Sequence, residues 1–255
     1  MIRIRQGYVS YCLRYFKNSF LEKYKLGPVR DKEQPVVMFG MYNNKDLEFY
    51  ANHKGRIVVV WCGNDGRTIS RNSTSRRHIL GQKQDTIHIA TSSFIHKDLN
   101  IAEIKHITLP ITPTEMDMVP IMPRGNKIYC YIGKNPKAYN KALAEHAAKR
   151  TGHEIIMANA KTYNKENLIR VYEDSFIGLR LTRHDGVSCT AIELGMAGRR
   201  CIFNGDSPNS IPWSNIDDIC ANINKEYKNR HHNDMEEISE SVKEYLDIGE
   251  AWLHI

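Results

Sequence analysis

The chain has 255 residues, 41% of them hydrophobic, with 36 Lys and Arg against 29 Asp and Glu and a formal net charge of +7. That length and apolar share exclude a disordered tail and leave room for one large or two small domains with real cores. The positive balance suits an anionic partner (a nucleotide, a nucleic acid or an acidic membrane surface), and equally an ordinary basic soluble protein.

Residues 1–30 form a first segment. Tyr8, Tyr11, Leu13, Tyr15, Phe16, Phe20, Leu21 and Tyr24 alternate with Arg3, Arg5, Arg14, Lys17, Lys23 and Lys25 at a spacing that predicts an amphipathic helix ending near Gly27-Pro28. Two uses fit residues 1–28: packing on the chain's own domain, or peripheral contact with an anionic membrane. Residues 31–118 then read as a first αβ domain. Apolar runs at 35–42, 55–63, 85–94 and 104–111 are separated by helix-like stretches, the pattern of a parallel sheet covered on both faces. The intervening cluster of Arg71, Arg76, Arg77 and His78 has no periodicity and fits a loop.

Between 110 and 125 stand Pro110, Pro113, Pro120, Pro123 and Gly125, so an interdomain linker is expected, at 119–125. A second αβ series follows over 126–230. Its first strand is 126–134, and Asn135-Pro136 resembles an N-cap with proline at the first helical position, ahead of Tyr139, Leu143 and Ala147 on the buried face. The strand at 153–160, a helix, FIGLRLTR, a second helix and RRCIFNG complete it. Residues 231–255 are expected to hold a C-terminal helix with Ile238, Val242, Tyr245 and Leu246 on one face. The fold class is α/β: two Rossmann-like αβα domains with a cleft between them.

Cys12, Cys62, Cys130, Cys189, Cys201 and Cys220 form no C-x-x-C pair and no Cys/His cluster at zinc spacing, so neither a metal site nor a disulfide framework is expected. Several lie within apolar runs, as reduced core thiols do, which points to a reducing compartment. No stretch of about 18 apolar residues spans a membrane, and the N-terminus lacks a signal-peptide core, so the expected location is cytoplasmic, at most peripheral to a membrane.

The chain is organised around 175–206, a strand, polar loop, helix and strand. Loops of this kind hold phosphates, because the first helical amides have no intrahelical partner and the helix N-terminus carries about half a positive charge. Asp185 is a candidate cap of the helix, Gly186 permits close backbone approach, Val187 continues the loop, and Ser188 and Thr190 offer hydroxyls near the first turn. Glu193, about two turns on from Asp185, is placed on roughly the same face and suits a ribose diol. Asp185-Gly186, seven positions from 186 to 192, Glu193, then Ala197-Gly198 resemble the Glu-seven-Glu signature of retaining GT-B glycosyltransferases of family 4 (the group 1 type). The resemblance implies a nucleoside diphosphate at the helix N-terminus, Asp185 near the donor sugar and Glu193 on the ribose. Asp185 stands where the family usually has Glu, and the resemblance covers the second half of the chain better than the first.

Gly133-Lys134-Asn135-Pro136-Lys137 resembles the cationic element after the corresponding strand of that family, where two cations grip the diphosphate, so Lys134 and Lys137 are candidates for that role. Arg183 is preferred to Arg180 as a further cation, since Arg180 sits inside a strand-like run, and His184 has a supporting place. At the first domain's strand ends Gly40, Asn43, Gly63, Asn64, Asp65, Ser92 and Ser93 form no specific motif. The implied activity is transfer of a sugar from a nucleoside diphosphate donor to a glycan, lipid-linked or protein acceptor, with retention and with no metal or other cofactor. Alternatives are a nucleotide-sugar epimerase or hydrolase of the same fold, or a non-catalytic basic nucleotide- or nucleic-acid-binding module. No nucleic-acid-binding motif is present, so no nucleic-acid partner is expected.

Overall fold

The computed structural model describes residues 2–71, 80–81, 83, 85–116, 119–133, 135–159 and 165–254, with the backbone alone at 165 and 166. The chain divides into two compact units. The first comprises Met1–Pro113, His184–Val187 and Asp247–Ile255, and the second Thr114–Arg183 and Ser188–Leu246.

The first unit is built on strands β1 (Gln6–Val9), β2 (Gly27–Pro28), β3 (Val36–Phe39), β4 (Ile57–Trp61), β5 (Ile87–Ala90) and β6 (Ile107–Thr108). They form one parallel sheet in the order β2-β1-β3-β4-β5-β6. Every residue of β3 and β4 is buried, as central strands covered on both faces require. Their two-residue period divides the core: Val36, Met38 and Val59 pack with Leu47 and Tyr50 on one face. Val37, Phe39, Val58 and Val60 pack with Phe20, Tyr24 and Leu26 on the other. Helices α1 (Lys17–Lys23), α2 (Asn44–Asn52), α3 (Asn64–Arg71) and α4 (Ser93–Ile101) connect the strands.

Residues 1–28 are not the single amphipathic helix their spacing predicts. They supply β1 inside the sheet, a 3-10 turn at Tyr11–Phe16, α1 and the edge strand β2. Gly7 makes this packing feasible, because a Cβ there would lie 2.7 Å from Leu21 Cδ2. Of the cationic cluster in the first domain, Arg71 ends α3, while Arg76, Arg77 and His78 lie outside the described residues.

The second unit contains β7 (Lys127–Tyr131), β8 (Ile155–Ala158), β9 (Ser175–Leu179), β10 (Arg200–Ile202) and β11 (Ser210–Ile211), a parallel sheet in the order β11-β10-β9-β7-β8. Its helices are α5 (Lys141–Thr151), α6 (Lys165–Glu173), α7 (Cys189–Met196), α8 (Ile216–Lys228) and α9 (Met235–Leu246). α5 begins at Lys141, later than Asn135-Pro136 suggests. Asn140 adopts a left-handed conformation (φ 49°) before it and donates from Nδ2 to Leu181 O at 2.6 Å. Residues 119–125 are tied into this unit: buried Arg199 donates to the carbonyls of Met122, Pro123 and Ser175, and Arg124 to Gly198 O and the Asp234 carboxylate. α9 stays with the second unit, its Ser239 hydroxyl donating to Met196 O, whereas 247–255 return to the first, where Leu253 O accepts from Ile4 N at 2.9 Å. All six cysteines are free thiols. Among the described residues no helix is long and apolar enough to cross a membrane.

Candidate functional site

β9 leads into the loop 180–188 and then α7. Most of α7 is buried, including Thr190, Ala191, Ile192, Leu194, Gly195 and Met196, while Glu193 keeps partial exposure. Its N-cap is Ser188, whose Oγ accepts from Ala191 N at 3.3 Å. Asp185 therefore does not cap this helix; its Oδ1 accepts instead from Gly186 N at 3.0 Å. Since α7 starts only at Cys189, Asp185 and Glu193 do not share a helical face.

Glu193 is a placed carboxylate. Its Oε2 accepts from the Tyr172 hydroxyl at 2.5 Å, and Tyr172 is itself buried edge-to-face against Tyr129, with ring centroids 5.2 Å apart. Burial, and then the charge of Glu193, raise the Tyr172 pKa well above its usual value, so Tyr172 remains a donor. A tyrosine next to the last residue of α6 has no motif to announce it, and sequence reasoning missed it.

The loop is shared between the units. His184, Asp185, Gly186 and Val187 group with the first unit and Arg183 and Ser188 with the second. Within the first unit, Ser92 Oγ donates to Asp185 O at 2.8 Å, and His184 Nε2 lies 2.6 Å from Asp98 Oδ2. A Cβ at Gly186 would come within 2.2 Å of Cys62 O, so only glycine fits that position as it is packed.

The cations divide differently from expectation. Lys134 lies outside the described residues, Lys137 is exposed in the turn before α5, and Arg183 is exposed. Arg180, at the carboxyl end of β9, is only 7% exposed, its guanidinium 4.6 Å from the Tyr139 ring centroid and 5.4 Å from that of Tyr131. Gly133, at φ 54°, allows the Tyr139 ring to approach: a Cβ there would sit 2.4 Å from Tyr139 Cε2. The signal for Arg180 was the Tyr131/Tyr139 pair flanking that glycine. Nearby in sequence, Thr182 Oγ1 is buried with no hydrogen-bond partner among the described residues.

In the first unit the strand-end residues are occupied structurally. Asn43 caps α2 in a capping box with Asp46, and Ser92 caps α4 while Ser93 opens it. Asn64 opens α3, and Gly40 takes φ 79° with Tyr42 against it. Asp65 is fully buried, and its carboxylate accepts from the amides of Met41, Cys62, Gly63 and Gly66. Burial raises its pKa and those four amides oppose the rise. Among the described residues no group of three or more His, Cys, Asp or Glu side chains could hold a metal ion.

Two parallel αβ units of this kind have counterparts among solved structures. The fold is that of GT-B glycosyltransferases. The structure of a mutant of S. aureus TarM, in complex with Fondaparinux, alpha-GlcNAc-glycerol and UDP, matches with a TM-score of 0.63 at 14% identity, over 96% of this chain and 58% of that one. Sucrose-phosphate synthase from Thermosynechococcus elongatus matches at 0.61 with 10% identity, over 94% of this chain and 75% of that one. WaaB, a lipopolysaccharide outer core galactosyltransferase, matches at 0.58 with 12% identity, over 94% and 77%. This chain thus spans 58% of the length of TarM. No protein-family model matches the sequence, and no curated protein does.

Proposed function

We propose that the chain is a glycosyltransferase that binds a nucleoside diphosphate sugar at the N-terminus of α7 and transfers the sugar to a hydroxyl of a glycan, lipid-linked or protein acceptor. The observation that carries this is the Ser188-capped start of α7 with Glu193, a partly exposed carboxylate held by a buried tyrosine, on a mostly buried helix. A carboxylate fixed in this way suits two adjacent ribose hydroxyls, and the amides of a helix N-terminus suit the diphosphate. The shared GT-B fold supports the reading, as does UDP in the TarM complex.

Arg180, rather than the exposed Arg183, is assigned to the departing diphosphate, with Lys137 in a weaker outer role. In the reaction the acceptor oxygen bonds the anomeric carbon and the bond from that carbon to the diphosphate oxygen breaks. The nucleoside diphosphate leaves with the electron pair, and the acceptor hydroxyl releases its proton. Cationic and amide donors aimed at the developing phosphate charge supply the stabilisation without a metal. Retention of configuration, with Asp185 beside the sugar, follows from the resemblance of Asp185-Gly186 and Glu193 to the family signature.

Calorimetric titration of ADP, UDP and GDP and of their parent nucleosides tests the site. Arg180→Gln is expected to weaken the preferred diphosphate about tenfold and leave its nucleoside unchanged. Equal losses, or no nucleotide bound by the wild type, would refute the assignment. Product analysis with a nucleotide-sugar panel separates transfer, which requires an acceptor, from hydrolysis or epimerisation, which do not.

A further inference from the structure

At the amino edge of the first unit's sheet lies a cavity of about 700 Å³ whose lining includes Arg3, Arg5, Arg30, Pro28, Gln34 and Pro35. It opens where β1, β2 and β3 begin, the edge opposite the carboxyl strand ends that hold ligands in open α/β sheets. Arg3 and Arg5 are two residues apart on extended chain, where alternate side chains share a face. Arg30 is delivered by the Gln6 side chain, which ties down the segment after β2. Gln6 Nε2 donates to Asp31 O and Gln34 O, and its Oε1 accepts from Arg30 N and Asp31 N.

Among the described residues no carboxylate lines it. Glu250 pairs with Arg3 at 3.1 Å, whereas among the described residues neither Arg5 nor Arg30 has an ion pair. Three guanidinium groups around one hollow, two of them uncompensated, concentrate positive potential and offer forked donors that match phosphate oxygens. Pro28 and Pro35 give the hollow apolar walls.

We infer that this cavity is a second anion site, taking a phosphomonoester or pyrophosphate group, either of a soluble metabolite or of a lipid headgroup. It shares no residue with the nucleotide site proposed above.

Full-length protein is titrated with inorganic pyrophosphate, in the presence of saturating nucleoside diphosphate, and sedimented with phosphatidylcholine vesicles with and without phosphatidic acid. The variants are Arg5→Ser/Arg30→Ser, the charge-keeping Arg5→Lys/Arg30→Lys, and Lys105→Ser/Lys149→Ser, which removes the same charge elsewhere. The arginine-to-serine pair is expected to weaken binding about tenfold, the lysine pair less, and the distant pair by less than twofold. Arginine-dependent binding of pyrophosphate in solution identifies a soluble ligand. Arginine-dependent binding confined to phosphatidic acid vesicles identifies a headgroup. No binding by the wild type in either assay, or equal losses in the arginine and distant-lysine variants, would overturn the site. Circular dichroism confirms that each variant is folded.

Discussion

Tyr172→Phe isolates the device that positions Glu193. The substitution keeps the buried ring against Tyr129 and removes only the hydroxyl that donates to Glu193 Oε2. A hydrogen bond to a charged group contributes about 1.5–3 kcal/mol, and water reaches the partly exposed Glu193 to replace part of it, so the lower end, ~1.5 kcal/mol, applies. If the fixed orientation serves the ribose, most of that loss appears in binding, about tenfold in Kd. Calorimetry with the preferred nucleoside diphosphate and its 2′,3′-dideoxy analogue measures it. Wild type should favour the diol, Tyr172→Phe should lose about tenfold for the diol form alone, and Glu193→Ala should bind both forms equally. Added to Glu193→Ala, the tyrosine change should cost less than about 0.5 kcal/mol more in nucleotide binding, because its contact with Glu193 is already gone. A wild type indifferent to the missing hydroxyls, or a Tyr172 effect that persists without Glu193, refutes the reasoning.

Two further outcomes follow from the first unit. Burial, and then the charge of His106, lower the His88 pKa from 6.5 to about 4, and its neutral Nδ1 accepts from Trp61 Nε1 at 3.2 Å. Between about pH 6.5 and 4 the unfolded chain binds the extra proton, so stability falls as pH drops through that window, by at most about 3 kcal/mol. Urea titrations at pH 7 and 4.5 should show a smaller acid loss in His88→Gln, and an identical loss would rule this out. Gly186→Ala forces a methyl toward Cys62 O and should cost about 1–3 kcal/mol in urea denaturation; unchanged stability would mean that the loop does not pack as described.

The sheets were legible because their central strands are β-branched on both faces, as Val36, Val37 and Val58, Val59, Val60 are. β1 was not. Its Gln6-Gly7-Tyr8 lacks an apolar run, since Gln6 spends its side chain on the 30–34 backbone and Gly7 makes room for Leu21 and Leu26. The aromatic spacing of 1–28 imitated one helix because buried Phe20, Tyr24 and Leu26 serve the sheet face while Tyr11 and Tyr15 stay exposed. Arg199 was equally hidden: a fully buried arginine with carbonyl acceptors reads in sequence as ordinary surface charge.

At the candidate site, composition was legible and geometry was not. Asp185 and Ser188 both have N-cap chemistry, and spacing alone favours neither. What decides is where the chain turns extended before α7: Ser188, at φ −76° and ψ 107°, reaches Ala191 N, while the carboxylate of Asp185 turns to its own neighbour. Gly186 likewise has two explanations in sequence, close approach of a phosphate or close approach of another part of the chain. The carbonyl of Cys62 already requires the second. The acidic residue and glycine of the motif are therefore held by Ser92 and Cys62 of the first unit, and only the part from Ser188 to Glu193 is supported from within its own unit. Nucleotide affinity should accordingly track Glu193, Tyr172 and Arg180, whereas changes at Asp98 or Ser92 should act through the position of Asp185 and show in turnover before they show in nucleotide binding.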